Sequence, residues 1–371
     1  MKNKLLCSLS LIALVAIGCN TSGGPKSFDF ELEALGDEVE FHSDIQQSYI
    51  YAEDYTTTFG IASGSSSKEQ PLPIDLSWAG KANNNKPVDK YLVNVYEKDS
   101  SDPLLTIETK ENHVEFYNAK IGTVYKYEVT AVYASKTFVS EKSSFKTTTY
   151  GPRNLYVENV MNIRDLGGHG IKQGLLYRSG RFNETDGTTK ITDNTIKTMT
   201  EVLNVKTEID LRRGNENGEI TASPLGESVN YVHLPMYYGG ENVLTHQGEH
   251  SGVQYDNPAQ IKIFFETLAD ERNYPIDFHC AIGKDRTGCM AYLIEALCGM
   301  EEEYLYRDYL FSNFAKISGM CEIVDIDDKY GATLKDYEGE TLQEKTFNYL
   351  NNVIGVSSTD LQKIQSFLIE E

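Results

Sequence analysis

The chain has 371 residues, enough for two domains, since single hydrophobic cores stop growing at a few hundred residues. Charged residues are 24% of it, aromatics 11% and AVILMFWYC residues 40%, a globular composition that excludes a disordered, collagen-like or polytopic membrane chain. With 55 acidic and 34 basic residues the net charge is -21, which repels nucleic acid and anionic membrane surfaces as bulk partners. An anionic ligand must therefore meet a local positive field.

At the start of the chain, Lys2 and Lys4 precede an apolar run from Leu5 to Ile17, too short to span a bilayer as a helix but suited to the h-region of a secretory signal. Residues 1–18 are therefore expected to be removed from an exported protein. The run ends Ala16-Ile17-Gly18-Cys19, which resembles a bacterial lipobox, with Ala16 where leucine is usual. The resemblance implies a lipid on Cys19 and anchoring at the cell envelope; cleavage leaving a free Cys19 is the alternative. Residues 20–26 (NTSGGPK) read as a flexible tether. Residues 19–70 as a whole form the tether and a β-rich segment that the pattern leaves unassigned. Cys280, Cys289, Cys298 and Cys321 remain, too few for a disulfide framework and without the CxxC or Cys/His pairing of a structural zinc site, so no metal is predicted.

Residues 71–150 read as short alternating strands: Ile74 to Trp78, Lys90 to Tyr96, Leu104 to Glu108, His113 to Tyr117, Tyr125 to Tyr133 and Lys136 to Thr147. Period-2 alternation with turn signals at this spacing predicts an all-β sandwich. Trp78 closing an early strand, and Gly122-Thr123-Val124-Tyr125 opening a later one with Tyr125 as a corner tyrosine, resemble a fibronectin type III domain. The expected role is a spacer.

After Tyr150-Gly151-Pro152, residues 151–371 alternate strands with amphipathic helices, predicting an α/β domain with a central sheet flanked by helices. Ile196, Met199 and Leu203 share a helical face behind a Thr192 or Asp193 cap, and a strand from Thr207 to Leu211 follows. Pro258 opens a second helix, whose stripe is Ile261, Phe264, Phe265 and Leu268, before a buried strand from Tyr274 to His279. Met290, Leu293, Ile294 and Leu297 mark the next helix.

Between that strand and helix lies His279-Cys280-Ala281-Ile282-Gly283-Lys284-Asp285-Arg286-Thr287-Gly288. A tight loop here aims successive amides inward, and the helix N-terminus adds partial positive charge, so Ala281, Ile282, Gly283, Lys284, Asp285 and Arg286 form a phosphate cradle. Arg286 can take two phosphate oxygens with its planar fork. The same field lowers the pKa of Cys280, making it the nucleophile, with a phosphocysteine intermediate. Thr287 can donate to the departing sulfur, and His279 can orient the cysteine from behind.

These residues resemble the cysteine-based protein tyrosine phosphatase superfamily, and the full string resembles its bacterial tyrosine and lipid phosphatases, whose loop reads HCxxGKDRTG. Other segments agree: Asn162-Ile163-Arg164-Asp165-Leu166-Gly167-Gly168 with NxRDLGG, Leu176-Tyr177-Arg178-Ser179-Gly180 with LYRSG, Ile209-Asp210-Leu211-Arg212 with the IDLR strand, then Glu216 at the family spacing. Ser357 and Asp360 form the S-x-x-D cap of the closing helix. The resemblance spans about Tyr156 to the C-terminus. It implies that Asp285 is the general acid, with Asp210, Glu241, His246 and Glu249 as rivals. Arg164 and Asp165 either pair with each other or brace the loop, and bracing is the expectation. The resemblance also implies phosphotyrosine as substrate, with phosphoinositide or phosphoserine/threonine as further possibilities, Lys284 serving as a second cation, and no cofactor. Cys289, Cys298 and Cys321 are assigned to packing, and Tyr304, Tyr306 and Tyr309 to a half-buried helix surface. The alternative of a different class is a surface protein that only captures phosphorylated ligands.

Overall fold

The computed structural model describes residues 24–56, 61–64, 67–182, 190–239, 242–317 and 319–370. The expected signal segment, Cys19 and Glu241 lie outside the described residues. Among the described residues no helix is long and apolar enough to cross a membrane.

The chain begins with β1 (Phe28–Leu32), followed by α1 (Asp44–Ile50) and then β2 (Ile74–Ala82), β3 (Lys90–Glu97), β4 (Leu105–Thr109), β5 (His113–Phe116), β6 (Val124–Tyr133), β7 (Lys136–Val139) and β8 (Ser143–Lys146). These strands make two antiparallel sheets, β1-β2-β5 and β4-β3-β6-β7, with β8 also paired to β6. Alternate residues point inward, so Leu76, Trp78, Val93, Val95, Tyr127 and Val129 meet in one core. Tyr125 is buried, and its hydroxyl oxygen accepts the Lys120 amide at 2.8 Å, which closes the corner before β6. The stretch read as one strand from Lys136 to Thr147 is two, β7 and β8. The first sandwich strand, β1, comes from the segment whose pattern assigned nothing.

The second unit is built on six strands: β9 (Arg153–Asn154), β10 (Arg164–Asp165), β11 (Leu176–Ser179), β12 (Thr207–Asp210), β13 (Asn230–His233) and, after the hairpin β14 (Gln247–His250) and β15 (Val253–Asp256), β16 (Ile276–His279). Their order is β13-β12-β16-β11-β10-β9; the first four are parallel and the last two antiparallel. Helices α2 (Asp193–Lys197), α3 (Asn257–Leu268), α4 (Asp285–Leu297), α5 (Glu302–Phe311), α6 (Ile323–Asp325), α7 (Ala332–Lys335), α8 (Leu342–Tyr349) and α9 (Ser358–Leu368) complete it.

Thr192 caps α2 by accepting the Thr195 amide, and Asp256 caps α3, where proline in the first turn loses no bond. The apolar stripe of α3 is wholly buried, and so is every residue of α4. Ile276 and Phe278 face that helical layer, while Asp277 and His279, one residue out of phase, belong to the other sheet face. On the second face Tyr177 clusters with Phe182, Met199 and Leu203.

The sandwich is docked, not a free spacer. Arg153 donates to the carbonyls of Ala119 (3.0 Å) and Asn118 (2.6 Å), Asn118 and Tyr156 exchange two hydrogen bonds, and so do Ile121 and Gln173. Tyr117 stacks on Tyr156 with centroids 4.6 Å apart. Helix α1 goes further: Tyr49 and Ile50 are buried in the core of the α/β unit. Truncating a fully buried aromatic costs about 3–5 kcal/mol. Tyr49→Ala should therefore lower the stability of the α/β unit by that order in chemical denaturation of the full chain; an unchanged midpoint would mean that α1 is ornament.

Candidate active site

The loop 280–284 leaves the C-terminal end of β16 and enters α4, the end of a parallel sheet where ligands generally bind. Gly283 sits at φ +69°, and a Cβ there would lie 2.7 Å from the Ser179 carbonyl oxygen, so any side chain would open the turn. The loop is held from outside by two carbonyl contacts. Asn162 Nδ2 donates to the Ile282 oxygen (3.1 Å), and Arg178 Nη2 donates to the Gly283 oxygen (2.9 Å).

Both braces trace to one buried carboxylate. Asp308, on α5, accepts from Arg164 Nε at 2.6 Å and from Arg178 Nη1, and Arg164 Nη1 passes on to Asn162 Oδ1 at 2.7 Å. Burial pushes Asp308 up, yet the two guanidiniums outweigh it and hold the carboxyl below its usual range. Asn162 and Arg178 stood inside recognisable strings without an assigned role, and Asp308 gave no signal at all, being a charge within a buried helix.

Cys280 is buried beside Arg286. Burial alone would raise its thiol, but the Arg286 guanidinium and the hydroxyl and amide of Thr287 outweigh it and hold the thiol below its ordinary value. Arg286 Nη1 donates to Glu216 Oε2 (2.6 Å) and to the carbonyls of Leu211 and Met236 (3.3 Å each). Its Nε is buried and meets no acceptor among the described residues, as a group that waits for an anion would be. Glu216 is held at about 2; burial opposes this, but bonds from Arg213 and Arg286 prevail. It is the anchor of Arg286, a role its spacing did not announce.

Behind the cysteine, His279 Nδ1 lies 3.3 Å from the Cys280 oxygen and Nε2 lies 2.9 Å from Glu208 Oε1. Asp210 stands 3.9 Å from Nδ1. Burial lowers the His279 pKa, but Asp210 and Glu208 raise it to about 9, so the ring is an imidazolium at neutral pH. Glu208, Asp210 and His279 are close enough for a cation. The two carboxylates, however, address opposite nitrogens of one ring, which suits an ion-paired imidazolium and does not suit a metal. Asp277 on the same face accepts from Ser179 and is pushed by burial to about 7.

Asp285 opens α4 and is 8% exposed. Burial raises its pKa, against the lowering influence of Lys284, whose Nζ is 4.0 Å away, and of the Tyr238 hydroxyl. Its rivals are placed elsewhere. Asp210 is buried behind the loop, bonded to Arg212 and Tyr231, and held at about 2 in spite of burial, so it carries no proton to give. Glu249 is exposed on the β14–β15 hairpin, and His246 stacks on Tyr237 at 4.2 Å. Asp165 does not brace the loop: it pairs with Arg153 and accepts the amides of Gly167 and Gly174, organising the turn next to the sandwich. Cys289, Cys298 and Cys321 are buried thiols whose pKa burial raises, as packing residues should be. Tyr306 and Tyr309 are buried more deeply than a helix surface.

Residues 155–370 match the model of the tyrosine phosphatase family, and the chain belongs to that family. A provisionally named tyrosine-protein phosphatase of Cupriavidus necator is 26% identical over 188 residues, 44% of this chain and 64% of that protein; the chain thus spans less than two thirds of this relative's length. Among solved structures, the core catalytic domain of the PP-IP phosphatase SIW14 from S. cerevisiae, in complex with citrate, is 19% identical with a TM-score of 0.30, covering 46% of this chain and 85% of that one. TpbA from P. aeruginosa is 17% identical with a TM-score of 0.31, covering 51% and 92%. Likenesses this distant carry no argument about activity.

If Arg286 holds the thiol down, the pH midpoint for alkylation of Cys280 should lie below that of an ordinary thiol. Arg286→Ala should move it up by about one unit or more, the scale of a lost ion-pair partner. An unmoved midpoint would assign the shift to the Thr287 hydroxyl and amide alone.

Proposed function

We propose that this chain is a cysteine-dependent phosphomonoesterase that hydrolyses phosphotyrosine through a phosphocysteine. The observation that carries the reading is a buried Cys280 beside a buried Arg286 whose Nε lacks an acceptor among the described residues; the guanidinium holds the thiol below its ordinary value. A dianionic ester enters the cradle with two oxygens on the Arg286 fork and the others on the loop amides. The Cys280 thiolate attacks phosphorus in line; the S–P bond forms as the bond to the ester oxygen breaks, and Asp285 gives its proton to that oxygen.

Water then attacks the phosphocysteine while the Asp285 carboxylate takes one of its protons. The thiolate leaves and inorganic phosphate is released. The Thr287 hydroxyl, buried with no nitrogen or oxygen partner among the described residues, is free to donate to the departing sulfur. Burial supports Asp285 as acid because it raises the carboxyl, so the protonated form persists above the usual carboxylate range. Lys284 adds a second cation suited to more highly charged headgroups, and phosphoinositides and phosphoserine/threonine are the secondary substrates of this reading. In the same reading the sandwich is a fibronectin type III-like domain, supported by its two-sheet strand order and the Tyr125 corner, and Cys19 carries a lipid that anchors an exported enzyme at the cell envelope.

The rate should rise as Cys280 ionises and fall as pH climbs through the Asp285 pKa, since the acid must be protonated. Asp285→Asn should abolish the basic limb. It should cost about 10²–10³ in turnover of phenyl phosphate, the scale of a lost general acid, and under about tenfold for nitrophenyl phosphate, whose leaving group needs no proton. Equal losses on both esters would remove Asp285 from this role, and phosphate release that survives Cys280→Ser would remove the mechanism.

A further inference from the structure

The family match begins at residue 155, yet the core of the α/β unit takes in residues far upstream of it. Tyr49, Ile50 and Ala62 belong to that core. Arg307 on α5 donates to the carbonyls of Tyr49 (3.0 Å) and Ala52 (2.6 Å), one residue before Asp308, on which both loop braces converge. The chain then runs along the segment after α5. Gly64 donates its amide to the Asn313 oxygen (2.8 Å), Ile317 donates to the Gly64 oxygen (3.0 Å), and Lys68 donates to the Phe314 oxygen (2.7 Å).

Gly64 has no substitute in this seam. Its φ is +64°, which L side chains rarely adopt, and a Cβ would lie 2.8 Å from Ile317 Cγ1 and 2.9 Å from the Gly319 oxygen. Side chain and strain would both push Ile317 and Gly319 away. Gly319 borders the phosphate cradle on its cationic side: a Cβ there would sit 3.7 Å from Lys284 Nζ, and Lys284 Nζ is 4.0 Å from Asp285 Oδ1. Lys284 is 8% exposed, so its ammonium is placed by packing and not by solvent.

We propose that Gly64, outside the family-matched stretch, is a positioning residue of the phosphate site: its backbone bonds to residues 313 and 317 keep Gly319 packed against the Lys284 ammonium beside Asp285. The proposal rests on the phosphatase reading above. It makes an upstream segment, separated in sequence from the catalytic loop by the sandwich strands β2 to β8, a support of the site's cationic side. In this proposal Gly64 acts on turnover through Lys284.

A double-mutant cycle on the full chain separates the two roles. Gly64→Ala should lower kcat/KM for nitrophenyl phosphate by about five- to tenfold, and Lys284→Met should do so independently. In the Lys284→Met background, Gly64→Ala should cost less than about twofold more, because the group it positions is already gone; these factors reflect the usual coupling of contacting groups. Equal fold-losses in both backgrounds, or no loss from Gly64→Ala, would overturn the proposal. Should Gly64→Ala fail to fold, Lys68→Pro removes one bond of the upstream segment without a new side chain at 64, and the same cycle then supports or overturns the proposal by the same comparison. If the wild-type chain released no phosphate, the phosphatase reading would fail by itself. The cycle would then be read on inorganic phosphate affinity by calorimetry, where non-additivity supports the positioning role and additivity overturns it.

Discussion

Cys280 can be a nucleophile only while the Arg286 guanidinium stays opposite it, because burial of the sulfur favours the neutral thiol and a net charge of -21 offers no help from the protein at large. The positive field has to be local and fixed. Glu216 supplies the fixing: it holds the outer edge of the fork and leaves Nε facing inward. The anchor works because Arg213 shares the carboxylate, so Glu216 stays ionised although it is partly buried. An arginine alone on a flexible loop would lose its geometry to rotamer freedom before it met a phosphate.

The cradle has a second requirement, that its carbonyls point away from the anion. Arg178 and Asn162 take two of them, and Asp308 holds both braces in place from α5. Breaking a buried pair by removing one partner costs about 3–5 kcal/mol, since it strands the other charge. The Asp308 cluster is for that reason a poor source of net stability and a good source of geometry, because few alternative arrangements satisfy two buried guanidiniums at once. The same logic applies behind the cysteine, where Glu208 and Asp210 keep the His279 ring charged and oriented.

Local pattern made much of this legible. The apolar stripe of α3, the strand into His279 and the alternating sandwich strands lie where the sequence puts them, because side-chain periodicity is written over a few residues. Cys280, Asp285, Arg286 and Thr287 stand in one string, running from the loop into the first turn of α4. What stayed hidden is long-range. Asp308 is 144 residues from Arg164, and nothing in the α5 sequence says which arginine it will meet. Asp165, adjacent to Arg164, points to the opposite neighbour, Arg153, because successive strand residues alternate faces. The position of Gly64 gave no pattern, since its bonds to Asn313 and Ile317 are backbone bonds to a segment far along the chain, and backbone partners leave no mark on side-chain periodicity.

The most direct measurement is the mass of the peptide that carries Cys280 after turnover with nitrophenyl phosphate is quenched in acid. The account predicts one phosphoryl group on Cys280, absent when Cys280 is alkylated beforehand. Steady phosphate release with that peptide unmodified at every quench time, and with alkylation leaving the rate intact, would contradict it.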